Sequence, residues 1–307
     1  MSTILVIGAS GFVGGRLARK LRTDGHAVRC LARDPARVAE LAALGCEVVR
    51  GDIADAAGVR GAMIGVSAVY ISIHTLSPQP GVGRDARFMD AETIGITNVL
   101  SACGSLGVRR IVYVTSLGIA PDARSEWLRE RWKTEQLLLG SSDADATVIR
   151  PGMIVGRGGR GFDTAASQAR RRIAFVLGRK GPSFRTIAID DLIAYLLDVL
   201  DEPRTFGQRY DVGSDDVLSM RETVDAVATI LGRKSPIKLG IPLGPLAALA
   251  TPIERIAKVP RGVIRGFIDS ASSDNAGDPS PIRAVFPRSL LSFHKAAERA
   301  LKDPSRK

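Results

Sequence analysis

The residues best placed to do chemistry come first in the chain. Gly8-Ala9-Ser10-Gly11-Phe12-Val13-Gly14 spaces three glycines three apart, directly after the apolar run Ile4-Leu5-Val6-Ile7 and before Leu17 and Leu21 at helical spacing. This reads as strand, tight turn and helix. Gly8 lets the backbone turn sharply, Gly11 leaves no Cβ between main chain and a bound pyrophosphate, and Gly14 lets the helix lie close to the sheet. The amides and positive end of that helix suit phosphates, so the turn points to a dinucleotide.

The next strand selects the dinucleotide. Ala27 to Arg33 alternates as a second strand, and at its end stands Arg33, with Arg37 one helical turn on. An acid there would hold a ribose 2′-hydroxyl, whereas arginines suit a 2′-phosphate through charge-assisted contacts. NADP is therefore preferred over NAD. Asp34 is the competing ribose acid, but Pro35 after it favours an N-cap. Asp52-Ile53, ending a third strand at Glu47 to Arg50, reads as an adenine frame, and Asp52 or Asp55 as a helix cap is the equal rival. Ile73 and His74, ending a fourth strand at Ala68 to Ile73, stand where a nicotinamide ribose would pass. A strand-end histidine is also a common structural hydrogen-bonder.

These residues need a scaffold, and the pattern supplies one. A long amphipathic helix over Asp85 to Gly107, a fifth strand over Arg109 to Thr115, a helix over Trp127 to Leu138 and a strand over Ala146 to Arg150 continue a βαβ alternation. The expected fold is α/β, a doubly wound parallel sheet with helices on both faces. Residues 1–150 would form the NADP-binding domain and 151–307 a smaller substrate or lid region, with strands near 187–190 and 208–212 returning to the main sheet. Asp190 reads as a helix cap. Pro242 to Val259 reads mainly as core packing, with an apolar substrate pocket or a partner contact as the rival.

Composition narrows the function classes. Hydrophobic residues make up 45% of the 307, an ordinary globular balance. No run reaches the roughly 18 apolar residues of a membrane span, and the N-terminus opens on a strand rather than a signal sequence, so a cytoplasmic protein is expected. Cys30, Cys46 and Cys103 are widely spaced in apolar surroundings, which argues for buried thiols and against a disulfide framework or metal site. The net charge of +11 is partly local: nine basic residues and one acid, Asp163, lie between Arg150 and Arg185. Without an aromatic-interleaved basic motif, nucleic acid is not the expected partner. A small-molecule substrate is, and the long helices after the fourth and fifth strands would allow a homodimer.

The sequence resembles the short-chain dehydrogenase/reductase superfamily, in its atypical, NmrA-like branch. The likeness rests on Gly8 to Gly14, Leu31-Ala32-Arg33-Asp34-Pro35, Gly51-Asp52, Val112-Tyr113-Val114-Thr115-Ser116, Ile149-Arg150-Pro151-Gly152 and Ile187-Ala188-Ile189-Asp190-Asp191. It implies a cofactor site that extends to Thr115, Pro151, Met153 and Ile154. In that superfamily a Tyr-x-x-x-Lys pair supplies catalysis. Counting back from Glu135-Gln136-Leu137-Leu138, the tyrosine position falls on Trp127 and the lysine position on Arg131. An indole cannot exchange a proton at neutral pH. Weak catalytic candidates remain: Ser116 after the fifth strand, Trp127 as a stacking surface, Arg131 as a holder of ribose or phosphate, and His74.

Three functions are compatible with these residues. The first is an NADPH-dependent reductase whose acceptor needs little proton help, such as a quinone, an enone or a conjugated imine. The second is a non-catalytic NADP(H)-binding regulator or assembly subunit. The third is an epimerase or dehydratase that keeps its cofactor bound.

Overall fold

The computed structural model describes residues 3–73, 90–177, 181–257, 262–270 and 273–302 of the chain. Its first half runs β1 (Thr3–Ile7), α1 (Phe12–Thr23), β2 (Ala27–Ala32), α2 (Ala39–Ala43), β3 (Glu47–Arg50), α3 (Ala56–Met63), β4 (Val66–Ile71), α4 (Asp90–Leu106), β5 (Arg110–Val114), α5 (Glu126–Leu139) and β6 (Asp145–Pro151). The second half continues with β7 (Met153–Val155), α6 (Arg160–Ala169), β8 (Ile173–Leu177), β9 (Ser183–Ala188), α7 (Ile189–Asp198), β10 (Gln208–Val212), β11 (Val217–Ser219), α8 (Met220–Ile230) and β12 (Ile237–Ile241). It ends with α9 (Leu243–Ala248), α10 (Ala250–Ala257), α11 (Val263–Ser270), α12 (Ser280–Val285) and α13 (Phe293–Lys302).

Seven strands form one parallel sheet in the order β10-β6-β5-β4-β1-β2-β3. Strands of near-continuous apolar sequence are buried on both faces, as a parallel sheet covered by helices requires. Alternate residues feed two cores. Ile4 and Val6 meet Leu17 and Leu21 of α1 and Leu192 and Leu196 of α7, while Leu5 and Ile7 join Ile96 and Val99 of α4. The chain order reverses between β1 and β4, and open α/β sheets bind ligands outside the strand C-termini at such a switch point.

The second half divides its strands among three sheets. β10 pairs with β6 in register Gln208↔Thr147 to Val212↔Pro151, so 208–212 does join the main sheet. The segment near 187–190 does not. β9 lies between β7 and β11 in a separate three-stranded sheet, and Ile189 already starts α7. The reason is that β10 occupies the edge of β6, where β9 would have had to pair. β8 and β12 form a parallel pair of their own. A third core of Phe162, Val224, Val227, Phe293 and Ala297 holds α6, α8 and α13 together.

Candidate cofactor and active site

The glycine turn is built by close backbone approach. Gly8 has φ +94°, and a Cβ on it would lie 2.1 Å from the Ser72 carbonyl oxygen, just past the end of β4. A Cβ on Gly14 would lie 2.3 Å from the Gly8 carbonyl oxygen. So Gly8 seats the turn against the switch point, and Gly14 lets α1 approach it. Gly11 differs, because it is exposed and a Cβ there would meet only the Gly8 oxygen, at 3.1 Å, and the Ser72 oxygen at 4.0 Å. The Gly11 amide donates to Gly8 O at 2.9 Å, and the first turn of α1 has no side-chain cap and no acidic residue. Its uncapped amides and the positive helix end fit a diphosphate, and a bare Gly11 leaves room for one. Ser10 beside it is exposed, whereas Ala9 and Val13 are buried beneath the turn. Phe12 packs away from the strand end: Arg16 lies over its ring at 4.4 Å and donates to Arg157 O at 2.7 Å, which joins α1 to the turn after β7.

At the end of β2, Arg33 is exposed, with Nη1 4.0 Å from Asp52 Oδ2. Two half-solvated groups at that distance attract weakly, so the guanidinium is available to a stronger anion. Asp34 is engaged elsewhere. Its Oδ1 accepts from Ala36 N at 3.1 Å and caps a short 3-10 turn, Pro35–Val38, which carries Arg37 exposed beside Arg33. Asp55, not Asp52, caps α3. Asp52 accepts from Ala54 N at 3.0 Å, Ile53 is buried, and Asn98 of α4 donates to Ile53 O at 3.0 Å. A Cβ on Gly95 would strike Ile53 at 2.7 Å, so α4 presses this turn into place.

The wall formed by β5, α4 and α5 departs most from what the sequence predicts. Arg131 is 1% exposed, and its Nε donates to Glu92 Oε1 at 2.9 Å while Nη2 donates to Ile73 O at 2.9 Å. The Tyr113 hydroxyl also donates to the Glu92 carboxylate. Burial opposes the Arg131 charge, but Glu92 outweighs it and holds the guanidinium above its usual range. Burial, with Glu92 second, drives the Tyr113 hydroxyl far above its own. Arg131 thus acts as a bolt between α5, α4 and the end of β4, with its guanidinium turned away from solvent. Trp127 is buried with the guanidinium 4.8 Å from its ring, so it is no open stacking surface.

A second buried unit repeats the design. Glu135 of α5, wholly buried, accepts from Thr115 Oγ1 at 2.8 Å and Arg150 Nε at 3.1 Å, and pairs also with Arg150 Nη2. Thr115 thus faces inward. Glu92, Glu135, Tyr113 and Arg150 are not among the site residues the sequence predicts, yet they carried a signal. Glu92 falls on the apolar face Ile96, Val99, Cys103, and Arg131 and Glu135 on the face Leu128, Leu138. Charges inside an apolar stripe are paired when buried.

The rest of the predicted rim lies at the C-terminal strand ends. Pro151 is buried at the end of β6, and its carbonyl accepts from Leu117 N at 3.1 Å. Met153 and Ile154 are half-buried on β7, and Ile73 is half-buried after β4. Ser116 follows β5 at this edge; its Oγ is shielded from solvent and has no hydrogen-bond partner among the described residues. His74 lies outside the described residues. The four tyrosines offer no replacement acid. Tyr70 donates to Leu196 O at 2.6 Å and Tyr210 to Arg204 O at 3.3 Å, Tyr113 is held by Glu92, and Tyr195 is buried on α7 beneath Arg288. The cysteines are buried free thiols, and burial pushes Cys30 up to about 12.

Comparison with known proteins agrees with this geometry. Residues 8–203 match a family model described as NAD(P)H-binding. The chain is 29% identical to a 2-alkyl-3-oxoalkanoate reductase of Stenotrophomonas maltophilia, over 75% of this chain and 76% of that one. It is 26% identical to an NAD(P)H azoreductase of Xenophilus azovorans, over 75% and 74%. Among solved structures, the NADPH-dependent quinone oxidoreductase of Escherichia coli, complexed with NADPH, superposes with a TM-score of 0.71 at 17% identity, over 97% of this chain and 100% of that one. UDP-glucose 4-epimerase of Thermotoga maritima superposes with a TM-score of 0.76 at 14% identity, over 98% and 97%. At these identities the superpositions speak for the fold.

Proposed function

The chain belongs to the NAD(P)H-binding family, of atypical short-chain dehydrogenase/reductase type, and from that premise we propose that it is an NADPH-dependent reductase of small conjugated acceptors such as quinones, enones or conjugated imines. Gly8, Gly11 and the first turn of α1 hold the diphosphate, Arg33 and Arg37 meet the 2′-phosphate, and the turn Gly51–Ile53 flanks the adenine. The bound nucleotide supplies the hydride.

One observation carries the choice of acceptor: Arg131 is locked to Glu92 beside a buried Trp127, where the family's lysine and tyrosine would stand. A simple ketone reduced here would build an alkoxide with no phenol to protonate it. A conjugated acceptor spreads the added charge and is protonated by solvent after the hydride has moved, so this wall need only orient the ring. Ser116, the unpartnered hydroxyl at the β5 end, donates to the acceptor oxygen or nitrogen. The reductases and the azoreductase among the relatives support a reductive role, and the quinone oxidoreductase shares the fold.

The test measures NADPH oxidation with a panel of quinones, enones, azo dyes and saturated ketones. Turnover on conjugated members and none on saturated ketones is expected. Equal turnover on saturated ketones would overturn the choice of acceptor. Tight NADPH binding with no turnover on any member would favour the non-catalytic binding role, which the sealed Arg131 also suits.

A further inference from the structure

A second surface has no part in that site. β8 and β12 pair in parallel with Ile173 beside Ile237, Phe175 beside Leu239 and Leu177 beside Ile241. Residues two apart share a face, so all six side chains lie on one side of this ribbon. The opposite side is covered, with Ala174 and Val176 buried in the third core's direction and Lys238 paired to Asp225 of α8. The apolar side is not: Ile237 is 67% exposed, Phe175 and Leu239 are 47% and Ile173 is 45%. Isolated exposed apolar residues are ordinary, but a ladder of adjacent pairs marks an interaction surface.

Charge identifies its occupant. Arg171, Arg172, Arg233 and Lys234 line a recess, with Ser235 and Pro236, where both strands begin and the ladder is most exposed. No acidic residue occurs from 164 to 177 or from 233 to 241. A second copy docked on this same face would offer its own ladder but no acidic residue from these segments to meet the cations. A bilayer surface suits both halves, because the ladder enters the acyl boundary while the cations meet headgroup phosphates. We propose that the β8–β12 ribbon docks the protein on anionic lipid membranes. This stands whether or not the reductase assignment does.

The experiment is co-sedimentation of the full chain with vesicles of phosphatidylcholine and phosphatidylglycerol in equal parts, against phosphatidylcholine alone. Binding to the mixed vesicles only, released by salt, is expected. Phe175→Ser with Ile237→Ser, and separately Arg171→Glu with Arg233→Glu, should each weaken it by roughly tenfold or more. Unfolding temperature and nicotinamide-nucleotide affinity, both unchanged, report that each variant is folded. Failure to bind mixed vesicles, or binding that neither folded variant weakens, overturns the proposal. So does a dimer in sedimentation velocity that the Phe175→Ser, Ile237→Ser variant dissolves, because the face would then be a self-interface.

Discussion

The glycine turn and the Glu92–Tyr113–Arg131 wall both meet the end of β4, one at Ser72 and the other at Ile73, yet they are made by opposite means. The turn is backbone packed on backbone, with no charge and almost no side chain. The wall consists of charged and hydroxyl side chains withdrawn from water and satisfied by one another. The difference teaches that one cofactor edge can be shaped by removing atoms on one side and by locking charges on the other. The first arrangement is intolerant of any addition, the second of any single deletion.

Substitution at Gly8 is the severest break. Gly8→Ala forces a side chain into φ +94° and onto the Ser72 carbonyl, and should destabilise by about 4–5 kcal/mol or prevent folding, read by chemical denaturation. Gly11→Ala keeps the fold, because only the Gly8 oxygen must yield, and should raise the NADPH Kd by about ten- to hundredfold in calorimetry. Equal losses of stability at the two positions would erase the distinction between a turn glycine and a ligand-facing one.

On the other side, Glu92→Ala strands the buried Arg131 charge and should cost about 3–5 kcal/mol in denaturation. Glu92→Gln with Arg131→Met should recover much of that cost, since no charge is then orphaned. A double variant as unstable as the single would mean that the pair does more than satisfy itself. Tighter than wild-type stability with lost NADPH affinity would place Arg131 in the cofactor site.

Arg33→Asp sharpens the nucleotide assignment. It should weaken NADPH by about 1.5–3 kcal/mol in calorimetry and leave NADH nearly unchanged, because only NADPH has the 2′-phosphate. Equal loss of both would show that Arg33 does not read it. Smallest is Asp34→Ala, which removes the cap on the 3-10 turn at about 1 kcal/mol in denaturation. Through the placement of Arg37 it should weaken NADPH by less than Arg33→Asp does and leave NADH nearly unchanged in calorimetry.

The sheet was readable because apolar strands with helical interludes carry two different periods, and β2, β3 and β10 fall where those periods place them. The glycine turn was readable for a similar reason, since each requirement is met by a residue lacking a Cβ. The path of β9 was not, as its neighbours are chosen by competition for the edge of β6, a matter of long-range pairing.

The sequence by itself determined the strand–turn–helix that opens the chain, the arginine ending β2 and the absence of a Tyr-x-x-x-Lys pair, all properties of residues close in the chain. Only the tertiary structure decided what Arg131 does. Its partners, Glu92 and the Ile73 carbonyl, lie 39 and 58 residues away. A charge drawn out of water must be met wherever the fold brings an opposite charge and an open carbonyl together, and no local pattern says where that is.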